Sequence, residues 1–481
     1  MQNTLLFSLL QKLSASERQN WLKFMQSEYH CSNLIIRQLA TTIFNHTANW
    51  KQPTFAKETC WKLLFPNKPY QEKSLNNYIS DLLQYTYQFL SYEQLKQKPD
   101  LQSELQIIYL LDLNLKKQAE RLLKKWKRTS SINKGAEAIR IRQRQAHFED
   151  TLGLMASRRQ YTGALQEQSR QLDQYYALQQ LINYCGMLSR QSIIQGEYEL
   201  PYLEEILRRY QADEQLLQKE PAIGIYVALV QLLRQDSNED KFRELEHQLR
   251  QYPDALPDDE RKMAYNFLLN YCIRQINRGH THFYQSVFTI YQDLLREGLL
   301  LQDGRLTQWT YTNVITTASR LKAWEWTEGF IHQYREKLPQ KDQHNAFHYN
   351  LSALRYEKGD YTEALQGLNE VEFTDAFYQM AAKTIQLKIY YLLQEAEAFR
   401  ALLFASRQFI LRNKQLSTAK KQTYQNFLKM LGRLFDLRYE RSYWNEERWQ
   451  KKHSQLLERL DNPKYSASNK DWIRLELQQL S

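Results

Sequence analysis

Glycine, proline and cysteine are scarce in this chain, and each scarcity excludes something. Thirteen Gly and ten Pro in 481 residues fall well below average usage of roughly 7% and 5%. Sheet-rich folds need these residues for their many tight turns, so an all-β architecture is excluded. The four cysteines, Cys31, Cys60, Cys185 and Cys272, lie far apart and form no CxxC pair. That spacing fits reduced thiols rather than a disulfide framework. No run approaches the roughly 20 apolar residues of a membrane span, so no membrane partner is expected. The opening MQNTLLFSLLQKLSASE has no basic n-region, and Lys12 interrupts its short apolar run, which predicts a cytoplasmic protein. Catalytic signatures are missing too: there is no P-loop, no GxGxxG, no HExxH and no GxSxG elbow. No cofactor and no catalytic residue is therefore expected.

What is present favours helices. Gln, Leu, Glu, Lys and Arg dominate, all good helix formers. A hydrophobic share of 42%, with 32 Tyr, 20 Phe and 10 Trp, is ample for a core. The most informative stretch is Phe347 to Val371, FHYNLSALRYEKGDYTEALQGLNEV. Leu351 and Leu354 share one face of a first helix, and Gly359-Asp360 ends it. Tyr361, Ala364, Leu365 and Leu368 then recur at i, i+3, i+4 and i+7 on a second helix. Ala364 is small where the two helices cross. Thirty-five residues upstream, Gly329 is expected to fill the equivalent slot. The following unit, Phe377 to Phe409, has Glu395 about where a turn glycine belongs, so its turn lacks the usual marker. A helical hairpin of this kind cannot bury its apolar face alone and needs stacked neighbours.

Along the chain, residues 1–95 read as a helical N-terminal module. Ser14 and Glu17 form a capping box ahead of Trp21, Phe24 and Met25; a second helix bears Leu34, Ile35, Leu39 and Ile43. Pro66 and Pro69 separate a further helix from one with Leu75, Ile79, Leu82, Leu83 and Phe89 on one face. Residues 96–170 read as a long basic helical hairpin, two helices joined at Thr129 to Gly135. Residues 171–481 read as a degenerate array of hairpins, with 346–371 its clearest repeat and breaks at Gly196, Pro221, Asn238, Pro253, Pro257, Gly279, Gly298 and Gly304. The expected fold class is all-α: a tetratricopeptide-like solenoid, a right-handed superhelix, with a small helical module before it.

Nearly end to end, the chain resembles a widespread, uncharacterised group of bacterial tetratricopeptide-like proteins best known from Bacteroidetes. The stretches that match are LFPNKPYQEKSLNNYISDLL (64–83), NYCIRQINRG (270–279), LLLQDGRLTQW (299–309), EWTEGFIHQYREKLP (325–339), YNLSALRYEKGDYTEALQGLNEVEF (349–373) and RNKQLSTAKKQTYQNFLKML (412–431). The resemblance implies a helical repeat fold and no known reaction. A departure falls at Tyr29-His30-Cys31-Ser32, where a Pro-Tyr-Phe-Asn-like turn is expected. The carboxylate clamp of some tetratricopeptide domains is not expected in the clearest repeat, because its Lys and Asn positions fall near Tyr349 and Ala353.

Three groups of residues are candidates for function. Lys+Arg of 65 against Asp+Glu of 54 gives +11, and the excess concentrates in a stripe. Lys117, Arg121, Lys124, Lys125 and Arg128 share one helix face, opposite Leu111, Leu115, Leu122 and Trp126, and Arg140 and Arg144 follow. Such a stripe neutralises phosphates or binds an acidic protein, or is an ordinary solvated face. Asn270, Arg274 and Asn277 recur at i, i+4 and i+7, a polar stripe suited to the backbone and carboxylates of a partner peptide; solvated surface or bonds between repeats are the plainer alternatives. His280 and His282 sit two apart and do not share a helix face, so no metal site is expected.

Residues 57–83, KETCWKLLFPNKPYQEKSLNNYISDLL, loosely resemble the winged-helix part of bacterial activators joined to tetratricopeptide-like repeats. Here Asn76, Asn77, Asp81 and Gln84 stand where arginines are expected, and a helical cap is the preferred expectation. The function that follows is a non-catalytic cytosolic scaffold or adaptor binding a protein partner. The alternative is a nucleic-acid-binding regulator using the N-terminal module and the 116–144 stripe.

Overall fold

Good helix formers with few breakers between them propagate helices until a turn residue intervenes. A computed structural model describes residues 4–47, 56–130, 134–156, 163–191, 197–211, 214–234, 239–371, 376–413, 416–462 and 465–480. Those residues form α-helices, two short 3₁₀ turns and no strand; one isolated bridge pairs Gln302 with Arg305. The chain is all-α. Among the described residues no helix is long and apolar enough to cross a membrane. Gly196 and Asn238, two of the expected breaks, lie outside the described residues. Pro221 opens the Pro221–Arg234 helix at its first position, where a missing N–H costs nothing.

Two compact units are distinguished: Met1–Ile182 with Gln215–Ile223, and Asn183–Glu214 with Gly224–Ser481. In the first, the helices Leu5–Lys12, Ala15–Gln26, Leu34–His46, Lys57–Leu64 and Glu72–Lys96 enclose one core of Leu10, Trp21, Met25, Ile36, Leu39, Ile43, Trp61, Leu75, Leu82 and Phe89. The expected capping box is formed: Ser14 Oγ accepts from the Glu17 N–H, and Glu17 accepts from the Ser14 N–H. Trp21 Nε1 donates to Thr86 Oγ1 at 3.0 Å, so the indole is buried with its polar edge satisfied. In the Tyr29-His30-Cys31-Ser32 turn, Cys31 is buried and His30 stacks on Phe24.

The stretch after residue 96 is shorter-stepped than two long helices. Pro99–Asp112, Lys116–Thr129 and Gly135–Met155 are separate; the first break falls where Asn114 takes a left-handed conformation, φ 57°. Asn tolerates that region better than other non-glycine residues, and a break there is invisible to hydrophobic periodicity. Ile107, Ala119, Leu123, Trp126, Ile141, Phe148 and Leu152 make the local core. Of the expected linker Thr129 to Gly135, residues 131–133 lie outside the described residues.

In the second unit helices pair in order: Asp258–Asn277 with Phe283–Arg296, Gln308–Arg320 with Trp324–Tyr334, Gln340–Lys358 with Tyr361–Asn369, Ala376–Leu392 with Ala396–Arg412, and Thr418–Tyr439 with Glu446–Asp461. First helices also pack on first helices: Gln308–Arg320 on Gln340–Lys358, and that helix on Ala376–Leu392.

One backbone device recurs at the hairpin turns. Asn114, Gly279, Lys322, Gly359 and Gln394 all have positive φ. After each, the next N–H closes the helix end: Leu115 to Leu110 O, His280 to Gln275 O, Ala323 to Ala318 O, Asp360 to Arg355 O, Glu395 to Tyr390 O, at 2.8–3.1 Å. That bond satisfies a carbonyl orphaned at the helix end. The turn at Glu395 is therefore made, with Gln394 in the glycine's role. Four of the five turns start the next helix two residues on, and place Ala119, Thr327, Ala364 and Phe399 at the same buried position.

This register corrects one sequence assignment. Lys322 and Gly359 are 37 residues apart, so the partner of Ala364 is Thr327, not Gly329. A Cβ at Gly329 would meet nothing within 4 Å, whereas one at Gly367 would collide with Ser352 Oγ. The close approach in the clearest repeat is thus Gly367 against Ser352, one turn beyond Ala364.

Candidate functional site

The basic stripe resolves into two populations. Lys117, Arg121, Lys124, Lys125 and Arg128 are exposed on Lys116–Thr129, and none makes an ion pair with a described residue. The apolar face that turns them outward is Ala119, Leu123 and Trp126. Leu115 is 38% exposed and Leu111 belongs to the preceding helix. Trp126 Nε1 donates to Asp100 Oδ1 at 2.7 Å. Arg140 and Arg144 are engaged differently. Both donate to the buried Glu104 carboxylate, at 3.2 and 2.6 Å, and Arg140 also pairs with Glu137. A carboxylate that deep is tolerated because two guanidinium groups compensate its lost hydration.

The polar stripe on Asp258–Asn277 is turned inward at its start. Asn270 Nδ2 donates to Ser189 Oγ at 3.4 Å. Arg274 is half-buried, 6.0 Å from the Tyr271 ring centroid. The side chain of Asn277 lies outside the described residues. His280 and His282 are both exposed, and His282 Nε2 lies 3.3 Å from Glu239. Among the described residues, no three His, Cys, Asp or Glu side chains gather as a metal site. The four cysteines are free and buried, and burial alone pushes the Cys185 thiol above its usual range. Asn76, Asn77, Asp81 and Gln84 are all exposed on Glu72–Lys96.

A more structured site lies among the stacked first helices of the second unit. Gln308–Arg320, Gln340–Lys358, Ala376–Leu392, Thr418–Tyr439 and Asn469, which caps Lys470–Gln478, surround a cavity of about 220 Å³. Its lining includes Ser319, Arg320, Tyr349, Tyr356, Lys388 and Asn469. Lys388 is 7% exposed. Its Nζ donates to Asn469 Oδ1 at 2.7 Å and lies 5.0 Å from the Trp472 ring centroid.

Loss of hydration, reinforced by Arg320, lowers the Lys388 ammonium from its usual value to about 8, while Glu357 and Glu476 oppose the shift. An ammonium has three donors, and Asn469 takes one. Asn469 itself sits in the left-handed region, φ 54°. Ser319 is 6% exposed, and its Oγ has no hydrogen-bond partner among the described residues. Burial raises the hydroxyls of Tyr349, Tyr356 and Tyr424, so all three stay neutral near pH 7. Glu476 accepts from Arg438 at 3.5 Å, and burial lifts its carboxyl above the usual range.

Sequence reasoning missed Ser319, Lys388 and Asn469. One signal was available: Lys388 is the one charged residue in the largely apolar run IQLKIYYLL. It also stands six residues before its turn residue Gln394, as Ala353 stands before Gly359. No protein-family model matches this chain, and no curated protein matches it either.

Proposed function

We propose that this chain is a non-catalytic scaffold or adaptor that binds a protein partner on a helical-repeat surface. The observation behind it is the stacking of first helices: they line one cavity with tyrosines, a buried lysine and a buried hydroxyl. A surface already stacked offers aromatic and cationic anchors without first having to order itself. The recurring left-handed turn and the shared buried position after it favour a tetratricopeptide-like solenoid with a right-handed superhelical path. They also favour membership of the uncharacterised bacterial tetratricopeptide-like group that the sequence resembles. Four unpaired, buried thiols agree with a cytosolic setting.

The test is affinity capture of the tagged protein from its own cells, with and without nuclease, followed by mass spectrometry. Stoichiometric proteins that survive nuclease are the expected result. Their loss on digestion would overturn the adaptor reading.

One observation favours a second reading. Five exposed cations without acidic partners among the described residues lie on Lys116–Thr129, and they suit a nucleic-acid-binding regulator. Affinity for a duplex that falls steeply with salt, and is lost on reversing Arg121 and Lys124, would support it. Salt-insensitive or absent binding would remove it.

A further inference from the structure

The cavity around Lys388 has more hydrogen-bonding capacity than the protein uses. Buried polar groups are almost always satisfied, and an unpartnered one inside a cavity asks what completes it. Here two shortfalls share one cavity. Lys388 retains donors beyond the one given to Asn469, and Ser319 Oγ has no partner among the described residues. The lining bears two cations, Arg320 and Lys388, against one carboxylate, Glu357. Arg320 and Glu357 lie 3.9 Å apart and reach solvent, so they form a rim rather than a floor. The lining residues therefore carry a net positive charge, with Glu476 acting on Lys388 from outside the lining. At about 220 Å³ the space is smaller than the roughly 300–1,000 Å³ of sites that enclose a whole small molecule. It suits one side chain or one chain end.

We propose that this cavity is a carboxylate pocket, taking an acidic side chain or a C-terminal carboxylate from a peptide segment of the protein partner. This rests on the reading of the stacked first helices as a partner-binding surface. The carboxylate accepts the remaining Lys388 N–H bonds and the Ser319 hydroxyl, and both of its oxygens are thereby satisfied. Charge-assisted bonds of this kind are the strong ones, and they are stronger away from water. The rings of Tyr349, Tyr356 and Tyr424 flank the entering segment. Desolvating Lys388 in the empty protein is unfavourable, and the anion relieves it on binding. A buried lysine that destabilises the free fold is what a site prepared for an anion looks like.

The test is calorimetric titration of the full chain with four N-acetylated probes: Ala-Ala-Ala with a free C-terminus, its C-terminal amide, Ala-Glu-Ala amide and Ala-Gln-Ala amide. Binding of the free acid and not the amide supports the pocket and assigns the chain end. Binding of the Glu peptide, with none by the matched Gln peptide, supports it and assigns the side chain. Lys388→Met should weaken the binding by at least about tenfold, while its melting temperature rises. If Lys388→Met fails to fold, Ser319→Ala decides, with an expected loss of a few-fold. No binding by any probe, equal binding by amide and acid, or wild-type binding by both variants would overturn the proposal. A cellular partner retained equally by wild type and Lys388→Met would overturn the pocket and leave the adaptor reading standing.

Discussion

Two helices of this chain place the same ammonium group in opposite surroundings. On Lys116–Thr129, Lys117, Lys124 and Lys125 stand in water beside Arg121 and Arg128, with no described acid paired to them. On Ala376–Leu392, Lys388 is enclosed, hydrogen-bonded to Asn469, and lowered to about 8. The exposed cations keep their hydration, so they cost little and discriminate little; they attract any polyanion within a Debye length. The enclosed one has lost its hydration and is held in one geometry. A long-range field comes from the first arrangement and a specific contact from the second.

The largest expected effect tests what holds the exposed cations in place. Trp126→Ala removes the buried anchor of the basic helix and its bond to Asp100, and should cost about 3–5 kcal/mol in urea unfolding. A loss below about 1 kcal/mol would mean that the helix is not held by its apolar face.

Next is Lys388→Met. The lysine's folded value lies below its unfolded one, so the neutral form is favoured by folding. The resulting penalty is fully present below about pH 8 and disappears as pH rises towards the unfolded value of about 10.5. At pH 7 the methionine variant should be more stable by about 1–3 kcal/mol, with the two proteins converging above about pH 10. Equal stability at pH 7 would break the comparison, because Lys388 would then be as comfortable as Lys124.

Smaller still is the response of the turns that bound these helices. Gln394→Gly follows the Lys388 helix and should stabilise by about 0.5–1 kcal/mol, because glycine adopts the left-handed region without strain. Asn114→Gly, before the basic helix, should gain only a few tenths of a kcal/mol, since Asn already tolerates that region. Thermal melts of both variants side by side read the difference. The smallest stability change belongs to Arg121→Glu with Lys124→Glu, within about 0.5 kcal/mol. Its melt should match wild type.

The fold was legible wherever one helix's own periodicity decided the outcome. The Ser14–Glu17 box, the buried Leu75, Ile79, Leu82 and Phe89, and the Gly359 turn were all readable because neighbours within a few residues make them. Asn114, Lys322 and Gln394 were not readable as turn residues, because none is a strong breaker and all three are exposed polar residues that fit a helix surface equally well. The Thr327 register failed for the same reason: it counts from Lys322, which looks like a helix residue. Of the candidate functional residues, the exposed stripe was legible because opposite faces of one amphipathic helix follow from its own sequence. Arg140 and Arg144 were not separable from it, since Glu104, which binds them both, lies 36 and 40 residues earlier.

By itself, then, the sequence determined an all-helical chain, its net charge, and the faces that each helix turns inward, because these depend on local propensity and a 3.6-residue period. Only the tertiary structure decided which cations keep their water. Ser319, Lys388 and Asn469 come from three separate segments of the chain, and a cavity between helices exists only once they are stacked. Desolvation is a property of that enclosure, not of the residue, so no spacing along the chain announces it.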